Sequence, residues 1–110
     1  MPLVTIGVFC FNQSRFAAEC LASVAEQEYP DLEIFVVDDG SSDTSVEVIQ
    51  EAIRTNQQLA GATLVADGTN QGLHRRMNQV LGLAQGTYVM WVAIDDVLLP
   101  GTVGRLVAQA

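Results

Sequence analysis

The sequence predicts a parallel α/β fold, a sheet sandwiched between two layers of helices. Three observations lead there. Hydrophobic periodicity alternates along the chain between strand-like runs and helix-like spacing, the signature of βαβ units. The run Thr87 to Ile94 is apolar at nearly every position, as a parallel strand covered on both faces should be. The chain has 110 residues, 49% of them hydrophobic and 16% charged, which suits one domain with its own core. No internal repeat, low-complexity tract or linker interrupts it, so residues 1–110 are read as a single unit.

Leu3 to Phe9, rich in branched residues, is predicted as the first, buried strand. Asn12 offers an N-cap for the following helix, on which Phe16, Ala17, Cys20, Leu21 and Val24 recur at helical spacing. Tyr29-Pro30-Asp31 closes that helix. Leu32 to Val37 is the second strand and runs into Asp38-Asp39-Gly40-Ser41-Ser42-Asp43. Ser42 or Asp43 caps the second helix, whose apolar face is Val46, Ile49 and Ile53. Ala62 to Ala66 is a shorter third strand, and Asp67 to Gly72 a turn-rich loop. The third helix carries Leu73, Met77, Val80, Leu81 and Ala84 on its apolar face and stops at Gly86. Thr87 to Ile94 is the fourth strand, with Trp91 in the core. Pro100 opens a last helix, since proline suits a first turn.

Composition excludes several functions. Thirteen acidic residues against five basic ones give a formal charge of −8, which argues against nucleic acid and anionic lipid as partners. All five basic residues are arginines. Without lysine there is no P-loop, no Schiff-base chemistry and no pyridoxal phosphate. Cys10, Cys20 and the single His74 match no zinc pattern, so the cysteines read as buried thiols in a reducing compartment. No apolar run approaches the about 20 residues that span a bilayer, and no charged leader precedes Leu3. The expected location is the cytoplasm.

In a parallel sheet every carboxyl end points to one edge, and ligands bind there. Polar residues gather at that edge four times: Asn12 after strand one, Asp38-Asp39 after strand two, Asp67 and Asn70-Gln71-Gly72 after strand three, Asp95-Asp96 after strand four. Carboxylates so gathered must separate, raise their pKa values or bind a cation. Hard oxygen ligands suit Mg²⁺ or Mn²⁺, which shares its shell with substrate phosphates. The expected ligand is thus a metal-bound diphosphate. Arg75-Arg76 reads as a solvated helix face, and His74 receives no catalytic role.

The run Val36-Val37-Asp38-Asp39-Gly40-Ser41-Ser42-Asp43 resembles the nucleotide-binding segment of family 2 glycosyltransferases, which have the GT-A, or nucleotide-diphospho-sugar transferase, fold. Val4 to Asn12 resembles that family's first strand, Asn70-x-Gly72 with Asn78 and Ala84-x-Gly86-x-Tyr88 the stretch before its metal motif, and Ile94-Asp95-Asp96 with Pro100 its DxD region. The resemblance implies a three-layer α/β/α sandwich and inverting, metal-assisted transfer of a sugar from a UDP- or GDP-sugar to an acceptor hydroxyl. It implies that Asp39, with Asp38 beside it, contacts the nucleotide base, that Asp95 binds the Mn²⁺ or Mg²⁺ ion, that Asp96 is a neighbouring acid of the metal site, and that Asn12 and Asp67 line the nucleotide pocket. Three positions depart from the family pattern: Ala93 replaces the first aspartate of DxD, Cys10 a small hydroxyl residue, and Met77 an arginine.

The resemblance also implies that the acceptor half and the catalytic base lie beyond Ala110, so that the chain is a truncated GT-A domain. Apolar surface on strand four would then be covered by self-association into a homo-oligomer. Two other readings stay open: a non-catalytic nucleotide-sugar-binding or interaction module of the same fold, favoured by Ala93, and a nucleotidyltransferase, disfavoured because Cys10 to Arg15 lacks a glycine-rich basic loop.

Overall fold

The computed structural model describes all 110 residues. Four strands alternate with four helices: β1 (Val4–Cys10), α1 (Ser14–Ala25), β2 (Leu32–Asp38), α2 (Ser45–Thr55), β3 (Thr63–Val65), α3 (Leu73–Leu83), β4 (Tyr88–Ala93) and α4 (Thr102–Gln109). A single 3₁₀ turn, Gln57–Leu59, separates α2 from β3. The sheet order is β3-β2-β1-β4 and all three pairings are parallel. No helix is long and apolar enough to cross a membrane.

Alternation along β1 divides the core. Val4, Ile6, Val8 and Cys10 point to a main core of 16 buried residues, shared with Leu21 and Val24 of α1, Ile49 of α2 and Val103 of α4. Phe9 points the other way, towards a smaller cluster of Phe35, Val37 and Val80, which α3 covers with Trp91 at its margin. Gly7 lies on this second face. A Cβ there would meet the Trp91 ring at 2.8 Å, so the glycine lets the indole lie across β1. Phe9 and Trp91 pack with ring centroids 5.4 Å apart. The layers are α1, α2 and α4 on one face and α3 alone on the other.

That asymmetry corrects the expectation for β4. Of its six residues only Val92 is buried, Tyr88 and Ala93 are exposed, and Trp91 is half-buried. β4 is an edge strand, and α3 packs over Phe35 and Val37 of β2, leaving the second face of β4 largely uncovered. Its outer side, with α4, leaves an apolar cavity of about 180 Å³ lined by residues that include Tyr88, Met90, Leu106 and Val107.

The helix ends also differ from expectation. Asn12 does not cap α1. Gln13 holds the N-cap position without a side-chain bond, and Asn12 adopts φ +51°. Thr44 is the N-cap residue of α2, and it is Asp43 whose Oδ1 accepts from the Ser45 amide at 2.9 Å. Gly86 does not stop α3, which ends at Leu83. It is required instead by close approach, since a Cβ there would lie 2.6 Å from the Thr5 amide nitrogen. Pro100 precedes α4 by two residues. The helix start is held by buried Gln27, whose Oε1 accepts from the Val103 amide at 3.0 Å and whose Nε2 donates to the Leu99 carbonyl at 2.8 Å.

Candidate functional site

The chain steps from β1 to β2 to β3 in one direction and then places β4 on the other side of β1. The order reverses at β1, and in open α/β sheets the crevice beyond the carboxyl ends at such a reversal is where ligands bind. Register sets the acids there. Cys10 pairs with Asp38 and Phe9 with Ala93. The Asp39 amide donates to the Cys10 carbonyl at 2.9 Å, and the Ile94 amide to the Phe9 carbonyl at 3.0 Å. The tails of β2 and β4 therefore leave the same edge on either side of β1, about 10 Å apart at two strand spacings.

Asp38 is buried, and its carboxylate accepts from the Ser41 amide at 2.9 Å and the Ser41 hydroxyl at 2.5 Å. It closes the turn after β2. Asn12 ties that turn to the end of β1: its Oδ1 accepts from the Ser42 amide at 2.8 Å, and its own amide donates to the Ser41 hydroxyl oxygen at 2.9 Å. Asp39 lines a cavity of about 170 Å³ with Phe9, Cys10, Phe11, Gln13, Leu73 and Arg76. Two of these walls, Phe11 and Leu73, are apolar and exposed.

Arg76 is the residue that sequence reasoning misplaced. It is fully buried, not solvated. Its Nε donates to Asp39 Oδ1 at 2.9 Å and its Nη2 to Asp67 Oδ1 at 2.8 Å. Further donations go to Asp67 Oδ2 at 3.2 Å, Gln79 Oε1 at 3.0 Å and the Thr69 carbonyl at 2.6 Å. A signal was present: residue 76 stands four before the buried Val80, on the stripe that α3 turns to the sheet, while Leu73 and Leu81 are 53% and 51% exposed. The apolar face read from the sequence shared only Val80 with that buried pair.

This guanidinium corrects the argument from carboxylate repulsion. The acids after β2 and β3 receive their counter-charge from the chain itself. Partial burial pushes the Asp39 carboxyl up, but the Gln71 amide, the Arg76 guanidinium and the Gly72 amide outweigh it and hold it below the usual carboxylate range. Arg76, helped by the Thr69 amide and hydroxyl, holds Asp67 well below that range. The loop from Asp67 to Gly72 lies directly on Gly40, whose φ is +78° and whose Cβ would come 2.6 Å from the Thr69 carbonyl carbon. Gly40 thus has both a conformational and a steric reason to be glycine.

Asp95 and Asp96 lie within a tight turn closed by the Asp96 amide, which donates to the Ala93 carbonyl at 2.9 Å. Both are exposed, and no ion pair of the chain engages either. No group of three or more His, Cys, Asp or Glu side chains is placed to hold a metal ion. Two unpaired carboxylates suit a hard divalent cation that takes its remaining ligands from water and phosphate oxygens. Behind them, burial together with the fields of Asp96 and Asp95 pushes the Cys20 thiol up to about 12. Both cysteines are buried and unbridged, and Cys20 is inert by this argument.

This architecture, a parallel sheet with acid-tipped strands at the point of reversal, is that of the GT-A glycosyltransferases. The chain belongs to glycosyl transferase family 2, which matches residues 5–110. It is 32% identical over 110 residues to an uncharacterised glycosyltransferase of Bacillus subtilis, EpsJ, covering 100% of this chain and 31% of that protein. It is similar to the mannosyltransferase PcManGT of Pyrobaculum calidifontis, solved with GDP-Man and Mn²⁺, at a TM-score of 0.81 and 31% identity over 87% of this chain and 28% of that one. S. aureus TarS, solved as residues 1–349 with UDP-GlcNAc, aligns at a TM-score of 0.84 and 28% identity, covering 96% of this chain and 30% of that one. The chain spans about a third of the length of these relatives.

Proposed function

We propose that the chain forms the donor-binding part of an inverting, metal-assisted glycosyltransferase that takes a UDP- or GDP-sugar. One observation carries this reading: Asp39, held charged beside the end of β1, lines a cavity with apolar walls, while the unpaired Asp95 and Asp96 leave the same edge across that strand. In this account Asp39 accepts an N–H from the base, which stacks between Phe11 and Leu73. Asp38, Asn12 and Asp67 shape the nucleotide pocket by fixing its loops. Asp95 binds Mn²⁺ or Mg²⁺ on the diphosphate, with Asp96 as the adjacent acid. The ion, when bound, neutralises charge developing on the leaving diphosphate. Similarity to proteins solved with GDP-Man and Mn²⁺ and with UDP-GlcNAc supports the donor class.

Inversion needs a general base for the acceptor hydroxyl, and no residue here is assigned that role. Ala93, standing where the family pattern has the first aspartate of DxD, favours, as a second reading, a module that binds the donor without transferring it. Calorimetric titration with UDP and GDP, with and without Mn²⁺, tests the donor site. The expected result is binding that Mn²⁺ tightens about tenfold, with the metal effect lost in Asp95→Ala. Absence of binding to either nucleotide in the presence of Mn²⁺ would overturn the proposal. Transfer from a labelled donor then separates enzyme from binding module.

A further inference from the structure

Arg76 stands apart from the other four arginines, all of which are exposed. A guanidinium has five N–H donors. Those of Arg76 reach Asp39 Oδ1, Asp67 Oδ1 and Oδ2, Gln79 Oε1 and the Thr69 carbonyl, so each is engaged within the chain. It has no donor left for a phosphate. Its effect falls on Asp39. Oδ1 accepts from Nε of Arg76 and from the Gln71 amide, whereas Oδ2 accepts only from the Gly72 amide, at 3.1 Å. A carboxylate oxygen accepts about two hydrogen bonds. Oδ2 therefore keeps an open acceptor position on a residue that lines the cavity.

We propose that Arg76 is a positioning and specificity-determining residue: by bridging Asp39 to the Asp67–Gly72 loop it fixes a charged carboxylate with one free acceptor, which selects a nucleobase presenting a ring N–H. Uracil and guanine present one; cytosine and adenine present a bare ring nitrogen at the corresponding edge. The inference rests on the donor site proposed above. Without the guanidinium, Asp39 and Asp67 would face each other unscreened, and two close carboxylates favour a shared proton. A protonated Asp39 offers an O–H donor and reads the opposite edge. The charged groups facing Asp39 are Arg76 from α3 and, across it, Asp67. Asp38 directs its carboxylate to Ser41.

The test compares the wild-type chain with Arg76→Gln, Arg76→Lys and Asp67→Asn in two measurements. One is the carboxyl ¹³C titration of Asp39 by NMR; the other is the ratio of CDP to UDP dissociation constants with Mn²⁺ present. In the wild type Asp39 should titrate below the ordinary carboxylate range, and UDP should be favoured about tenfold. In Arg76→Gln the titration should move up and the preference should fall towards unity. Arg76→Lys should restore only part of both, because an ammonium does not reproduce the bidentate fork. A folded Arg76→Gln protein with wild-type titration and preference would overturn the proposal. Should that variant not fold, Arg76→Lys decides: it keeps the charge and loses the fork, and a wild-type titration and preference there contradict the inference. Asp67→Asn, which leaves the Arg76–Asp39 pair in place and removes a nearby negative charge, should keep Asp39 ionised and the preference unchanged. If the wild type binds neither nucleotide, the donor reading falls and the nucleobase selection falls with it. The Asp39 titration still settles separately whether Arg76 holds the carboxylate.

Discussion

Around Asp39, partial burial and hydrogen bonding act in opposite directions, and hydrogen bonding prevails. The same holds for Asp67, where Arg76 is the largest influence. Because both folded-state pKa values lie below the unfolded value of about 3.9, the folded chain binds fewer protons than the unfolded one in acid. The stabilisation is complete above about pH 5 and is lost as pH falls through about 4 and below. Urea unfolding between pH 7 and pH 3 should show the midpoint falling in that window, and Asp67→Asn should flatten part of the fall. A midpoint that rises on acidification would contradict the pairing. At Gly40, Ala should cost about 1–2 kcal/mol for the left-handed backbone and more for the contact with Thr69. Gly68→Ala, at φ +79° with nothing within 4 Å of its Cβ, should show the backbone cost alone. Equal losses at the two sites would mean that the loop does not rest on Gly40. The acids at this scale were legible because they follow apolar runs directly. Arg76 was not, because a charged residue on a helix is ordinarily solvated, and only its partners, 37 and nine residues away, explain its burial.

Among elements, the four strands and the first three helices were legible from periodicity and the fourth helix from Pro100, and their boundaries fell within a few residues. Capping was less so. The side chains of Asn12, Asp43 and Gln27 serve helix starts or turns that are distant in sequence, and local propensity carries no trace of such partners. Nor does an apolar run say whether its strand is central or at an edge, which is why β4 read as covered on both faces. Leu21 and Leu81 separate the two kinds of apolar helix position. Leu21 is fully buried beneath α1, and Leu21→Ala should cost about 2–5 kcal/mol. Leu81 is 51% exposed, and Leu81→Ala should stay within about 0.5 kcal/mol. Urea midpoints measure both, and comparable losses would mean that α3 packs more deeply than described.

Across the whole molecule, the reversal of strand order at β1 turns acids far apart in sequence into neighbours along one margin. The formal charge of −8 would repel a bare nucleotide diphosphate, so occupancy of that margin should depend on a divalent cation. The most direct measurement is paramagnetic broadening of backbone amide signals by Mn²⁺ in the presence of UDP. The account predicts broadening that is strongest at Asp95 and Asp96, extends across the end of β1 to Asn12 and Asp39–Ser41, spares the amino-terminal edge near Leu32, and disappears in Asp95→Ala. Broadening centred elsewhere, or unchanged by that substitution, would contradict it.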